Sequence, residues 1–276
     1  MNRKLQAKVV FVRCALAIAL GVALPAARAA VTAEEAAKLG QTLTPVGAER
    51  AANADGTIPE WKGGEMAAPA CWAPGQVRPD PYGNEKPLVS IDASNVEQHK
   101  AKLSEGQMAL IQNLKGYRMD VYPTHRTCGV PDFVADNTKK NVGTAKIGAD
   151  GWSLAEATVP GFPFPMPENG LQAMWNSKMR YRGVGVDMKS VITAVSPRKG
   201  GSEWIKAGSE QTLFYPWGVK GSHALSSLPQ VEYMTYFGYT SPTALAGQAL
   251  DVNFYLSQPS ETFYYFPGQR RVRSEE

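Results

Sequence analysis

The sequence has few of the residues, and none of the spacings, from which most catalytic and metal sites are built. Its 276 residues include only three histidines and three cysteines. It lacks a Gly-x-Ser-x-Gly elbow, a Walker loop, a His-Glu-x-x-His helix and a Cys-x-x-Cys pair. These patterns mark hydrolases, nucleotide enzymes, zinc proteases and redox or zinc sites. We therefore predict no cofactor, no metal and no catalytic residue of a familiar class.

A long hydrophobic run is also missing. The longest uncharged apolar stretch, Cys14–Leu24, has eleven residues and as a helix spans about 16 Å, against a hydrocarbon core of about 30 Å. It follows Asn2–Arg13, which carries basic but no acidic residues, and it precedes small residues. This order is typical of a signal peptide over residues 1–29, cleaved between Ala29 and Ala30. We expect a periplasmic protein that does not span the membrane after cleavage.

Excess positive charge is absent once that segment is removed. The whole chain has 29 basic and 25 acidic side chains. All five charges of residues 1–29 are basic, so the remaining chain has 24 against 25, a formal net charge of −1. Nucleic-acid-binding proteins present a basic field. The balance therefore predicts no nucleic-acid partner.

Two cysteines remain after cleavage, Cys71 and Cys128. An even number suits an oxidising compartment. A bond between them would close a loop of about 57 residues, worth about 4 kcal/mol in the chain-entropy model. The pair is a disulfide candidate, and one buried and one exposed thiol is the alternative.

The chain divides into an irregular arm, residues 30–90, and a more regular part, residues 91–276. A capping box at Thr32–Glu35 opens a short helix in the arm, which otherwise has recurring proline and glycine and is expected to wrap a surface. The later part is predicted to be helical and then a meander of antiparallel strands. The expected elements are helices opened by Ser94–Glu97 and Ser104–Gln107, a strand that starts at Tyr117 and is ended by Pro123, helices over Pro131–Lys140 and Asn169–Tyr181, and strands over Val184–Val195, Trp204–Tyr215, Gln230–Tyr239, Ala249–Ser257 and Thr262–Arg273.

The last predicted strand ends three residues before the last residue of the sequence. An uncovered edge strand is an aggregation hazard that proteins usually cover or blunt. Either its arginines blunt the edge, or the chain is the front part of a longer protein. We expect the second, a chain truncated at its C-terminus.

Polar candidates form one dense cluster and one helix end. Asp120, Tyr122 and His125 could orient a proton transfer or bind a divalent ion, or they could satisfy backbone groups and pair with neighbouring arginines. Arg180 or Arg182, at the end of the predicted amphipathic helix, could meet an anionic head group. The full set is Arg118, Asp120, Tyr122, His125, Arg126, Arg180 and Arg182.

Aromatic and methionine residues are concentrated in residues 162–181 and 233–239. In the second segment both faces of the predicted strand are aromatic, which favours one face against helices and one lining something apolar. Core packing accounts for any single member, but the set favours an apolar ligand cavity. The candidates are Phe162, Phe164, Met166, Met174, Trp175, Met179, Tyr181, Tyr233 and Phe237.

Several segments resemble one Gram-negative family of exported proteins. They are Ala36–Gly40, Leu43–Glu49, Asn53–Pro59 with Trp61, Lys102–Gln107, Tyr117–Arg126, Asp136–Lys139 and Pro267–Arg273. This is the domain-of-unknown-function family numbered 1329, which resembles the periplasmic lipoprotein-sorting carriers. The resemblance implies an α+β fold, with a curved, incompletely closed antiparallel β half-barrel and helices packed on one face. It implies no catalytic residue, and its members continue past the last of these segments.

These observations favour a periplasmic protein, not an enzyme, that binds a lipid or another hydrophobic molecule. It could act as a carrier with an outer-membrane protein or an exporter of the envelope. One alternative is a hydrolase or isomerase built around Asp120, Tyr122 and His125. Another is a non-catalytic scaffold of an envelope complex, with the irregular arm wrapping a partner.

The signal peptide gives the first testable prediction. Protein recovered from the periplasm of a Gram-negative host should begin at Ala30, because the small residues at 27 and 29 fit the signal peptidase site. The intact mass of that protein measures the cleavage point. A recovered chain that still begins at Met1 would contradict the prediction.

Overall fold

The computed structural model describes residues 33–69, 72–197 and 200–275. The predicted signal peptide and Cys71 lie outside these residues, so the cleavage point and the disulfide remain predictions. Within the described ranges, no helix combines the length and the hydropathy needed to cross a bilayer.

The N-terminal arm has little regular structure. Helix α1 covers Ala33–Ala37, and the described residues from 38 to 88 form turns and isolated bridges. Gly47 has a φ of +93°, and a Cβ there would collide with the carbonyl oxygen of Pro165. The arm therefore packs against the backbone of a distant segment, at a position that only glycine can occupy.

A small helical unit follows the arm. It contains β1 (Val89–Ile91), α2 (Val96–His99), a 3₁₀ turn (Lys100–Lys102), α3 (Glu105–Asn113) and β2 (Met119–Val121), with β1 and β2 paired antiparallel. The capping box that opens α3 is confirmed. The Ser104 hydroxyl accepts the Gln107 N–H at 3.3 Å, and the Gln107 side chain accepts the Ser104 N–H at 2.9 Å. Two otherwise unpaired helix donors are thereby satisfied.

One expectation for this unit was wrong. The box at Ser94–Glu97 does not form, because the Asp92 carboxylate accepts the Ser94 N–H at 2.8 Å and α2 starts only at Val96. This Asx turn competes locally with the helix. The strand predicted to start at Tyr117 and to be ended by Pro123 forms as the shorter β2, and the proline has no N–H to extend the ladder.

Helix α4 (Asp132–Asn141) confirms the prediction to within one residue and has an unusual buried face. Its three side chains Asn137, Thr138 and Asn141 are at most 1% exposed. Asn141 donates to the carbonyls of Thr158 (2.9 Å) and Phe162 (3.0 Å) and accepts the Thr158 N–H at 2.6 Å. Its side chain thus supplies partners to a proline-rich segment that cannot pair with itself.

Helix α5 (Gly170–Lys178) packs the main core. Asn169 caps it by accepting the Gln172 N–H at 3.0 Å, and Trp175 and Met179, one turn apart, are fully buried. The core also includes Leu154, Ala157, Val159, Phe164, Tyr215, Trp217, Leu225 and Leu256. Short strand pairs frame it: β3 (Lys146–Ile147) with β4 (Leu154–Glu156), and β5 (Thr158–Val159) with β8 (His223–Ala224).

The largest element is a six-stranded antiparallel sheet in the order β12-β11-β10-β9-β7-β6. Its strands are β6 (Gly185–Val195), β7 (Ile205–Phe214), β9 (Val231–Ser241), β10 (Ala249–Tyr255), β11 (Glu261–Phe266) and β12 (Arg271–Glu275). The first four confirm the predicted strands to within two residues at each end. The sheet is a meander that does not close into a barrel, which confirms the α+β class with an incompletely closed sheet.

The single strand predicted over Thr262–Arg273 was wrong. It is a hairpin, in which β11 and β12 pair with Tyr264 opposite Arg273. The turn lies at Pro267–Arg270, where Pro267 ends the ladder and Arg270 has a φ of +50°. A Pro-Gly dipeptide is a turn signal that outweighs the β-rich composition around it.

The buried face of α4 gives the second prediction. Asn141→Ala should lower the free energy of unfolding by about 2–4 kcal/mol, because it leaves three partly buried backbone groups without the partners that the Asn141 side chain supplies. Chemical denaturation followed by circular dichroism measures the loss.

Lys139→Ala, an exposed position on the same helix, is the matched control and should change the free energy of unfolding by less than about 0.5 kcal/mol. Equal losses from the two substitutions would show that the Asn141 bonds contribute nothing beyond helix propensity.

Candidate functional site

The candidate site is a cavity where the end of α5 meets the sheet. It has a volume of about 360 Å³ and is lined by Ser177, Lys178, Arg182, Leu213, Tyr215, Glu232 and Tyr233. The burial of Trp175 and Met179 fixes the inner face of α5. Gly183, with a φ of +77°, then turns the chain into β6. The cavity therefore combines a helix C-terminus with the ends of two strands.

Arg182 is the free cation of this cavity. Its guanidinium donates to the Tyr215 hydroxyl at 3.1 Å and to the Ser177 carbonyl at 3.4 Å, and it lies 5.4 Å from the centre of the Tyr215 ring. Among the described residues, no carboxylate lies within ion-pairing distance of Arg182. A guanidinium has five N–H donors, so several remain available to an anion.

The second cation of the cavity, Lys178, is already paired. Its ammonium lies 2.6 Å from the Glu232 carboxylate and 4.9 Å from the centre of the buried Trp175 ring. The Glu232 side chain is only 11% exposed. Burial, with the Glu232 carboxylate nearby, raises the pKa of Tyr233, so that phenol is neutral at physiological pH. The cavity thus has two positive charges and one negative charge.

An apolar sheet face continues from the cavity. We call it the core-side face, because Leu213 and Tyr233 on it pack against the main core. Strand register places further residues in columns on the same face: Gln211, Phe237, Leu250 and Tyr264 in one, and Leu213, Thr235, Val252 and Thr262 in the next. Tyr239 and Phe266 extend it. Among the described residues of this face, Leu213 and Tyr233 are the ones that pack against the main core.

Side chains on the core-side face shield one another instead of being covered by a helix. The rings of Phe237 and Tyr239 are 4.8 Å apart, and those of Tyr264 and Phe266 are 4.2 Å apart. The Tyr264 hydroxyl donates to the Gln248 side chain at 2.6 Å. Phe237, Tyr239, Gln248, Tyr264 and Phe266 are half-buried, whereas Val252 in the neighbouring column is buried. An apolar surface of this kind, with one charged end, has the composition of a ligand site.

The nine apolar candidates from the sequence do not share one cavity. Phe164, Trp175 and Met179 are core residues, and Met174 is exposed. Of the remaining candidates, Phe162 is half-buried, Met166 lines a separate cavity of about 230 Å³, and Tyr181 packs edge-on against Phe133 at 5.5 Å. Tyr233 lines the Arg182 cavity and Phe237 lies on the adjoining core-side face. Helical periodicity cannot separate a core position from a cavity position, because both face inward.

The three residues of the catalytic alternative make separate contacts. Asp120 accepts from the Ser90 hydroxyl at 2.6 Å and from Arg118 at 3.1 Å. The Ser90 bond, and then Arg118, lower the pKa of Asp120. Tyr122 is exposed. The structure therefore gives the carboxylate partners other than His125.

His125 instead contacts the arm. Its Nε2 lies 2.9 Å from the Glu85 carboxylate, and its ring stacks on Tyr82 at 3.8 Å. No local sequence pattern indicates this contact, since 40 residues separate Glu85 from His125. These contacts connect the arm to the segment after β2.

Arg126 makes four hydrogen bonds to the arm. Its guanidinium donates to four backbone carbonyls, those of Glu49 (2.6 Å), Arg50 (3.1 Å), Pro59 (3.2 Å) and Ala51 (3.3 Å). Close by, the Trp61 indole donates to the carbonyl of Cys128, whose thiol is exposed. The hydrogen bonds of the Arg126 guanidinium are thus made to backbone carbonyls of the arm. Arg180 is exposed and does not line the Arg182 cavity.

Sequence reasoning missed Lys178 and Glu232 entirely. Lys178 is one of several polar residues on α5, and Glu232 falls at a strand start where acidic residues are common. The alternation of Leu250, Val252 and Phe254 along β10 was a usable signal, because it marks the core-side face of the next strand.

Comparisons with known proteins give one relative and one family. An uncharacterized protein of Pseudomonas aeruginosa is 37% identical over 260 residues, 93% of this chain and 56% of the relative. The chain therefore spans about half the length of that curated relative. No solved structure matches this chain. Residues 90–275 match the family described as "Protein of unknown function (DUF1329)", and the chain belongs to that family.

Proposed function

We propose that this protein binds an amphiphile, a lipid or another hydrophobic molecule with an anionic head group. The apolar chain lies on the core-side face and the head group meets Arg182. The observation that carries the proposal is that the core-side face and the Arg182 cavity adjoin each other. An apolar face not covered by the main core ends at a cavity whose guanidinium has no carboxylate partner.

Apolar burial supplies the affinity in this proposal. Each methylene removed from water contributes about 0.8 kcal/mol, so a chain of eight to twelve carbons gains enough to offset the entropy of binding. Most of the residues that would contact it are half-buried in the free protein, and Leu213, Phe237 and Leu250 present apolar surface to the chain. The face therefore suits acyl chains without selecting one length.

Arg182 supplies orientation more than affinity. Charge-assisted hydrogen bonds from a guanidinium are stronger than neutral ones, and the ring of Tyr215 holds the group in place. An anionic head group would be fixed at the α5 end of the face, with its chain directed across β7, β9 and β10.

We further propose that the protein acts in the periplasm as a carrier. The signal sequence supports export, and a half-buried, open site releases a ligand more readily than an enclosed one. Such a carrier would pass its ligand to or from an outer-membrane protein or an exporter.

The first test of this function concerns the head group. Arg182→Gln should weaken binding of laurate about tenfold, because a charge-assisted contact is lost. It should leave binding of dodecyl maltoside, a neutral amphiphile with the same chain length, within about twofold. Isothermal titration calorimetry measures both affinities.

Arg180→Gln is the matched control, since Arg180 is exposed and lies outside the cavity. It should leave both affinities unchanged. A loss of laurate binding that is the same for the two arginine variants would reduce the effect to net charge and reject the site.

The second test concerns the apolar face. Phe237→Asp should weaken binding of both laurate and dodecyl maltoside at least about tenfold, because a carboxylate in the chain path must be desolvated. Tyr236→Asp places the same charge one residue away on the opposite face of β9 and should leave both affinities within about twofold.

Melting temperatures establish that both variants are folded. If Phe237→Asp binds both amphiphiles like the wild type, the chain does not lie on the core-side face.

A further inference from the structure

The Lys178–Glu232 pair separates two cavities. On its far side from Arg182 lies a second cavity of about 450 Å³, lined by Trp152, Lys178, Glu232, Phe254, Tyr255, Ser257, Gln258, Pro259 and Ser260. Lys178 and Glu232 are the residues that the two linings share. The pair is thus a common wall, and each of its charges faces both spaces.

Opening the ion pair without a replacement anion is unfavourable. Glu232 is nearly buried and its carboxylate lies 2.6 Å from the Lys178 ammonium. Separating the two would leave Lys178, whose side chain is 30% exposed, without a counterion over the Trp175 ring, which costs free energy. A negatively charged group entering from the Arg182 cavity would remove that obstacle, because it could take the place of the carboxylate. Glu232 also lines the second cavity, where water can solvate it.

Arg182 and Lys178 together point to a particular head group. Both line the first cavity, one as a planar fork of donors and the other as a point charge. A phosphate monoester has three terminal oxygens and a charge between about −1.5 and −2 at neutral pH. It can therefore satisfy both cations at once, whereas a carboxylate has two oxygens and a single charge.

We propose that Lys178 is the second anion-binding group of this site, and that Glu232 is an internal competitor occupying it until a ligand arrives. The ligand class is then an amphiphile with a phosphate head group. The inference rests on the proposed function, and it adds the phosphate specificity and the competition by Glu232.

Removing the competitor tests the inference. Glu232→Gln should tighten binding of dodecyl phosphate about tenfold and leave dodecyl maltoside within about twofold. The bond from the Trp217 indole to residue 232 is retained, because it is made to the backbone carbonyl. Titration calorimetry gives the affinities, and thermal melting reports on folding.

The double variant Lys178→Met with Glu232→Gln is the matched control, because it leaves no unpaired buried charge. It should lose the gain and bind dodecyl phosphate several-fold more weakly than Glu232→Gln. If Glu232→Gln melts far below the wild type, the double variant alone provides the test: it must bind dodecyl phosphate more weakly than the wild type while retaining dodecyl maltoside.

The outcomes separate the two proposals. Wild-type protein that binds dodecyl maltoside, with Glu232→Gln and the double variant binding dodecyl phosphate equally well, overturns the role of Lys178 and leaves the amphiphile site standing. Wild-type protein that binds none of the amphiphiles overturns the proposed function itself.

Discussion

The buried polar face of α4 is the interaction on which the rest of the structure depends. The segment from Thr158 to Phe162 contains a proline and runs past the helix without a strand partner along most of its length. Asn137, Thr138 and Asn141 supply the missing hydrogen bonds, and Asn137 also donates to the carbonyl of Gly221. At Gly161 a Cβ would lie 3.0 Å from the Asn137 Cβ. One helix face thus holds both the approach to α5 and the loop before β9.

The positions of the charged side chains in the site follow from how α5 is held. Because α5 is fixed at its start by Asn169 and along its length by Trp175 and Met179, its last turn has one position relative to the sheet. Lys178 must then lie beside Glu232, and Arg182 beside Tyr215. In the described part of the chain, a carboxylate is within reach of Lys178 but not of Arg182. The site therefore has one charge available to solvent and one that is neutralised within the protein.

Local patterns predicted what local physics determines. The Ser104 capping box, α4, α5 and four strands of the sheet were readable because capping and period-two alternation act over a few residues. The prediction of a capping box at Ser94 was wrong because the Asp92 carboxylate accepts the Ser94 N–H that the box would use. The prediction of a single last strand was wrong because Pro267 begins a turn. Residues far apart in sequence were not predictable: Glu85 with His125, and Lys178 with Glu232. Trp175 and Met179 were placed on the correct helix face, but only the tertiary structure distinguishes a core from a ligand cavity.

The Arg126 bonds to the arm have a consequence for the order of folding. They join residues that are 67 to 77 positions apart, whereas the meander pairs strands that are neighbours in sequence apart from one excursion. Contacts that close long loops cost more entropy before they contribute, and so they form late. By the same reasoning we expect the arm to detach before the sheet when the native protein opens locally. The sheet and α5 can assemble around the core before the arm docks.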